Sequence, residues 1–167
     1  DRAASDPRIR SVVLRTASLE GAGFGKVQEL RDALIRFRKS GKPAYAHLEF
    51  AGNKEFYLAS ACDKIFAVPT ALLDVTGLAA EVTFFKGTFD KVGVEAQFVG
   101  VGKYKNAPNQ YTEKGFTAPH REQMEAMLDS LYTQYVEALS ESRHKTQAEV
   151  RALIDADEHD VTAFFAL

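Results

Sequence analysis

Short β-branched runs alternate with helical stripes along this chain, and that alternation restricts the fold more than any other feature. Residues 9–15 are apolar and β-branched, the pattern of a buried strand. Residues 16–25 carry three glycines and read as a loop. Phe24, Val27, Leu30, Leu34 and Phe37 then recur at helical spacing, with Arg31, Arg36, Arg38 and Lys39 among the polar positions. Gly41 follows the cationic last turn and stops that helix. After Pro43, residues 44–50 predict a second strand. Asn53 is placed to cap a helix running to about Cys62, and residues 65–68 predict a third strand that ends at Pro69. Residues 72–80 read as a loop or short strand, 83–92 as a helix closed by Gly93, and 94–101 as a fourth strand. Thr117, with Pro119 and Glu122 behind it, opens the longest helix. Its stripe is Met124, Met127, Leu128, Leu131, Tyr135 and Leu139. Thr146 caps a short helix over residues 147–154. The order predicts an α/β fold with a largely parallel sheet and right-handed β-α crossovers.

The 167 residues fit one domain, residues 1–167, large enough to bury a core without cross-links. A net charge of −2 gives no electrostatic basis for binding nucleic acid or an anionic membrane surface. No apolar run reaches the ~18 residues of a membrane span. The chain opens on polar residues and closes on Phe164-Phe165-Ala166-Leu167, an apolar end that suggests a fragment of something longer. Cys62 is the sole cysteine and sits in an apolar stretch, which predicts a buried small hydrophobe, not a nucleophile.

The run Phe98-Val99-Gly100-Val101-Gly102-Lys103-Tyr104-Lys105-Asn106-Ala107-Pro108 carries the strongest chemical signal. An apolar segment ends in glycines and a lysine follows, in the kind of loop where rigid scaffolds display reactive groups. A lysine becomes a general base when desolvation lets it lose its proton near neutral pH. Lys103 and Lys105 compete for that role. Other constellations are weaker. Gly21, Gly23 and Gly25 precede a helix, but their spacing misses the dinucleotide fingerprint by one residue. His47, His120, His144 and His159 are scattered and none pairs at metal-ligand spacing. Glu49, Glu55, Glu81 and Glu95 are candidate acid-base carboxylates that spacing alone does not pair.

Several separated blocks resemble one family. They are Lys42-Pro43-Ala44-Tyr45-Ala46, the stretch from Glu55-Phe56-Tyr57-Leu58 to Cys62-Asp63-Lys64-Ile65, and Gly102-Lys103-Tyr104-Lys105-Asn106-Ala107. In order and content they are similar to the signal peptide peptidase family, also called protease IV. The resemblance implies a fold of the Clp-protease and crotonase type. It also implies a serine peptidase with a Ser-Lys dyad that hydrolyses peptides left in membranes after signal-peptide removal. The family's lysine falls on Lys105, and Lys103 takes a variable position. No cofactor and no metal is implied.

The nucleophile does not carry over. The short-form serine position matches Glu49, in Ala46-His47-Leu48-Glu49-Phe50-Ala51-Gly52. The family's Asn-Ser-Pro-Gly-Gly loop is replaced by Thr16-Ala17-Ser18-Leu19-Glu20-Gly21. Both departures resemble the amino-terminal half of the long, duplicated form, in which one half supplies the lysine and the other the serine. Residues 157–167 resemble the family's ending only weakly. The resemblance thus implies a second homologous half or other protomers, a peptide substrate, a homo-oligomer, and a membrane anchor outside this chain. The implied setting is a bacterial cell membrane, with the catalytic domain on its extracytoplasmic side. Lys105 is expected at the end of the 94–101 strand, in a groove near the loop around Glu49. Phe84, Phe85 and Phe89, and the apolar carboxyl end, are expected to meet another domain or protomer. Two other functions fit the same elements: a non-catalytic scaffold or binding domain, and a crotonase-type acyl-CoA enzyme. The latter needs an acidic pair facing the glycine loop.

Overall fold

The computed structural model describes residues 2–16 and 18–156. They divide into two compact units, one of the described residues up to Gly77 and from Gln134 onward, and one of Leu78–Thr133. The first unit holds α1 (Arg2–Ser5), β1 (Val12–Arg15), α2 (Phe24–Arg38), β2 (Ala44–Gly52), α3 (Asn53–Ala59) and β3 (Lys64–Asp74). It also holds the end of α6 (Ala118–Arg143) and all of α7 (Gln147–Ile154). The second unit holds α4 (Lys86–Val92), α5 (Asn109–Thr112) and the start of α6. His159 and the apolar carboxyl end lie outside the described residues.

The three strands form one parallel sheet in the order β1-β2-β3. Parallel neighbours need a crossover, and here α2 and α3 are those crossovers. Along β2 the side chains alternate as a pleated strand requires: Ala44, Ala46 and Leu48 are buried, while Tyr45 and His47 are half-exposed. The core of this unit adds Val27 and Phe37 from α2, Phe56 and Leu58 from α3, Tyr135 and Leu139 from α6, and Val150 and Ile154 from α7. The predicted helix cap at Thr146 is present. Its Oγ1 accepts the Glu149 N–H at 3.2 Å, and Glu149 Oε2 accepts the Thr146 N–H at 2.8 Å.

Polar side chains lock these elements together. Asp63 Oδ2 accepts the Ala44 N–H at 2.8 Å, and its Oδ1 accepts Arg38 Nε at 2.8 Å. One carboxylate thereby ties the α3–β3 turn to the start of β2 and the end of α2. Arg143 Nη2 donates to the carbonyls of Ser60 and Cys62, which are left without helical partners past the end of α3. Arg31 departs from its predicted polar position. It is buried, donates to Ala138 O at 2.9 Å, and lies over the Tyr57 ring at 5.0 Å. Cys62 is buried as predicted, and burial pushes its thiol up to about 11.

Two strand expectations are corrected. The third strand does not end at Pro69 but runs to Asp74. The register shows why. Leu48 pairs with Ala67 and the next pair is Phe50 with Leu72, so residues 68–71 stand opposite Glu49 alone. Pro69 lies in that irregularity, where the ladder demands no N–H from it. The fourth strand, at 94–101, is not formed. Its side chains alternate, but no described strand pairs with it. Phe98 is exposed and Val99 and Val101 are fully open. Alternation reports which face a side chain would take, not whether a ladder partner exists.

In the second unit, Phe85, Phe89 and Phe98 each stack on Tyr111, with ring centroids 6.0, 6.2 and 5.7 Å away. Phe116 meets Phe84 at 5.3 Å and His120 at 4.8 Å. Phe85 nevertheless stays 40% exposed among the described residues. Gly93 closes α4 at φ 70°, a left-handed position where glycine meets no Cβ penalty.

Candidate active site

Gly102 takes φ 99°, and the Lys105 N–H closes the turn on Gly102 O at 3.2 Å. The turn delivers Lys105 to the rim of a groove of about 420 Å³, contained within the second unit. Lys105 is exposed, and its stem passes Gly100, where an added Cβ would meet its Cγ at 3.5 Å. Among the described residues its ammonium makes no hydrogen bond and no ion pair.

Lys103 differs. Its Nζ lies 3.1 Å from Tyr104 Oη and 3.3 Å from Glu122 Oε2. The Tyr104 hydroxyl and the Glu122 carboxylate hold it above the usual lysine range. Tyr104 Oη donates to Glu122 Oε1 at 2.9 Å, and that bond, with Lys103, holds the Glu122 carboxyl below its usual range. A general base must be free to lose its proton. Among the described residues the amine at 105 is unpaired, whereas the one at 103 is held charged by Tyr104 and Glu122.

The rest of the groove is amide and apolar: Asn106, Gln110 and Gln123 beside Val82, Met124 and Met127, with His120 at its wall. Asn106 is 8% exposed and His120 is 7% exposed. Among the described residues that line it, none is Ser, Thr or Cys. A larger depression of about 560 Å³ runs along α2, lined by Lys26, Glu29, Leu30, Asp32 and Arg36. That is a solvated helix face with no convergent chemistry, so the smaller groove is the candidate site.

Glu49 belongs to the first unit. It is exposed at the strand irregularity, and its Oε1 accepts Arg15 Nη2 at 2.8 Å. Glu55 is buried with both oxygens committed, one to the Leu19 N–H at 2.5 Å and one to the Gly52 N–H at 3.2 Å. It holds the glycine-bearing loop against α3. Gly23 is the N-cap of α2, and Gly25 lies inside its first turn. His47 sits on β2, His120 in the first turn of α6, and His144 just beyond that helix. No group of His, Cys, Asp and Glu among the described residues is arranged to hold a metal ion.

The family model for peptidase family S49 matches residues 36–161. The chain belongs to peptidase family S49. A protein named "Serine protease SPPA, chloroplastic" from Arabidopsis thaliana is 35% identical over 160 residues, 96% of this chain and 24% of that protein. "Protease 4" of Haemophilus influenzae is 30% identical over 143 residues, 86% of this chain and 23% of that protein. "Protease 4" of Salmonella typhi is 30% identical over 142 residues, 85% of this chain and 23% of that protein. The chain thus spans about a quarter of the length of these curated relatives. The resemblance drawn from the lysine-proline turn, the 55–65 block and the Gly-Lys-Tyr-Lys loop is that of this S49 family. The parallel α/β sheet agrees with the fold expected for it.

One arrangement escaped the sequence. The side chains on either side of Lys105 are tied to consecutive residues of α6, Tyr104 to Glu122 and Asn106 to Gln123. These partners lie 18 and 17 positions apart, too far for any local period to disclose.

Proposed function

We propose that this chain is the base-bearing part of a Ser-Lys peptidase, with the serine supplied by a second homologous half or another protomer. One observation carries the reading: Lys105 presents an unpartnered amine to a groove whose described lining holds no Ser, Thr or Cys. The family's lysine motif falls on that same residue. In the reaction, the neutral amine takes the proton from the incoming serine Oγ as that oxygen attacks the peptide carbonyl carbon. The resulting ammonium protonates the leaving amine nitrogen as the C–N bond breaks. The amine then takes a proton from the water that attacks the ester carbonyl carbon, and returns it to the serine Oγ as the acyl C–O bond breaks.

A lysine amine titrates near ~10.4 in water and must be desolvated to act near neutrality. Lys105 is open to solvent here, so the segment bringing the serine also has to cover it. The exposed Phe98, Val99 and Val101, just upstream of Lys105, are apolar surface suited to such a cover. The substrates are membrane-derived signal peptides. The setting is the extracytoplasmic side of a bacterial cell membrane, with assembly into an oligomer. No described helix is long and apolar enough to cross a membrane.

The isolated chain tests the split. It is expected neither to cleave peptides nor to react with a serine-directed acylating probe. Labelling of a serine within these 167 residues, abolished by mutating that serine, would overturn the proposal.

A further inference from the structure

The Lys105 turn is exposed, but the residue after it is not. Asn106 is buried, and its amide is used from both ends. Its Nδ2 donates to Gln123 Oε1 on α6 at 2.7 Å. Its Oδ1 accepts Asn109 Nδ2 at 3.2 Å, and the same Asn109 amide donates to Thr117 Oγ1 at 3.2 Å. Buried amides are retained where their hydrogen bonds are satisfied, because an unmet one is expensive. On the other side, Tyr104 Oη donates to Glu122. Lys105 is therefore bracketed by two side chains bound to adjacent positions of one helix.

We propose that Asn106 and Gln123 are positioning residues for Lys105: their buried amide-to-amide hydrogen bond fixes the lysine turn to α6, so that the long side chain is presented at the groove in one geometry. The inference rests on Lys105 being the base. Neither amide is placed to exchange a proton, so their effect acts through the geometry of the lysine. A base has to lie within hydrogen-bond reach of its proton, and a displacement of about 1 Å costs as much as ~10²-fold in rate. The Tyr104–Glu122 bond is an outer, solvent-exposed anchor, and the Asn106–Gln123 bond is the inner one.

Three variants of the full-length enzyme test this: Gln123→Leu, which removes the acceptor at similar size, Gln123→Glu, which keeps an acceptor oxygen, and Lys105→Ala. Peptide hydrolysis gives kcat and KM, and hydrogen exchange follows the Lys105 and Asn106 amides. Gln123→Leu is expected to lower kcat by about 10-fold with KM within about twofold, and to speed exchange at both amides. Gln123→Glu is expected to restore most of both. Unchanged exchange and kcat in Gln123→Leu, or equal damage in Gln123→Glu and Gln123→Leu, would overturn the positioning role. An active Lys105→Ala would instead remove the base assignment. The exchange readout keeps the two failures apart, since it does not depend on activity.

Discussion

Two lysines separated by one residue have different surroundings, and the proposed assignment of the base rests on that difference. Lys103 is spent on Glu122 and Tyr104, whereas Lys105 is free at a groove. The turn between them depends on Gly102 at φ 99°, a conformation that side chains rarely adopt. Gly102→Ala is expected to cost about 1–3 kcal/mol locally. The check is faster amide exchange over residues 103–106 and reduced activity of the full-length enzyme. Wild-type exchange would show that the turn tolerates a Cβ. Glu49 is the converse case. It is exposed and paired only at the surface, where such pairs contribute little. Glu49→Ala should change stability by under about 1 kcal/mol and leave kcat unaltered, and a large loss of activity would give that carboxylate a role the account denies it. The sequence singles out Lys105 because its motif is local. The amides holding it were not, because Gln123 reads in sequence as one more polar residue on a helix.

At the level of elements, helices and their stops were the most readable part, since caps and stripes are local signals. Phe24–Arg38 and Gln147–Ile154 lie where the spacing puts them. Strands were less readable, because pairing is not a local property. β3 passes through Pro69 only because the ladder opens opposite Glu49, and residues 94–101 alternate without a partner. The joint most open to test is Asp63. Burial raises its carboxyl, but the bonds from Ala44 N–H and Arg38 outweigh that and hold it below the usual carboxylate range. A depressed folded value means that the stabilisation is present above the unfolded pKa of ~3.9 and is lost as pH falls through the folded value. Asp63→Ala is therefore expected to lower stability by about 1–2 kcal/mol at pH 7, a modest figure because the side chain is 36% exposed. In urea denaturation the gap to wild type should narrow as the pH drops below about 4. A gap that widens on acidification would contradict this role.

For the molecule as a whole, the described residues of the first unit leave side chains on one face of its parallel sheet exposed. Val13 is 63% exposed on β1 and Phe66 is 51% exposed on β3. Register puts Val13 beside Tyr45, and the Tyr45 and Phe66 rings lie 6.2 Å apart on that face. Parallel sheets are ordinarily covered on both faces. In the full-length enzyme, Val13 and Phe66 are expected to be shielded from hydroxyl-radical labelling relative to the isolated chain. Equal labelling in both forms would mean that no further segment packs there. The central claim is that Lys105 supplies the base. It is tested most directly by kcat for peptide hydrolysis in full-length Lys105→Ala and Lys103→Ala, with folding checked by circular dichroism. Lys105→Ala is expected to fold normally and lose activity by ~10²-fold or more, while Lys103→Ala stays close to wild type. An active Lys105→Ala beside an inactive, folded Lys103→Ala would contradict the account.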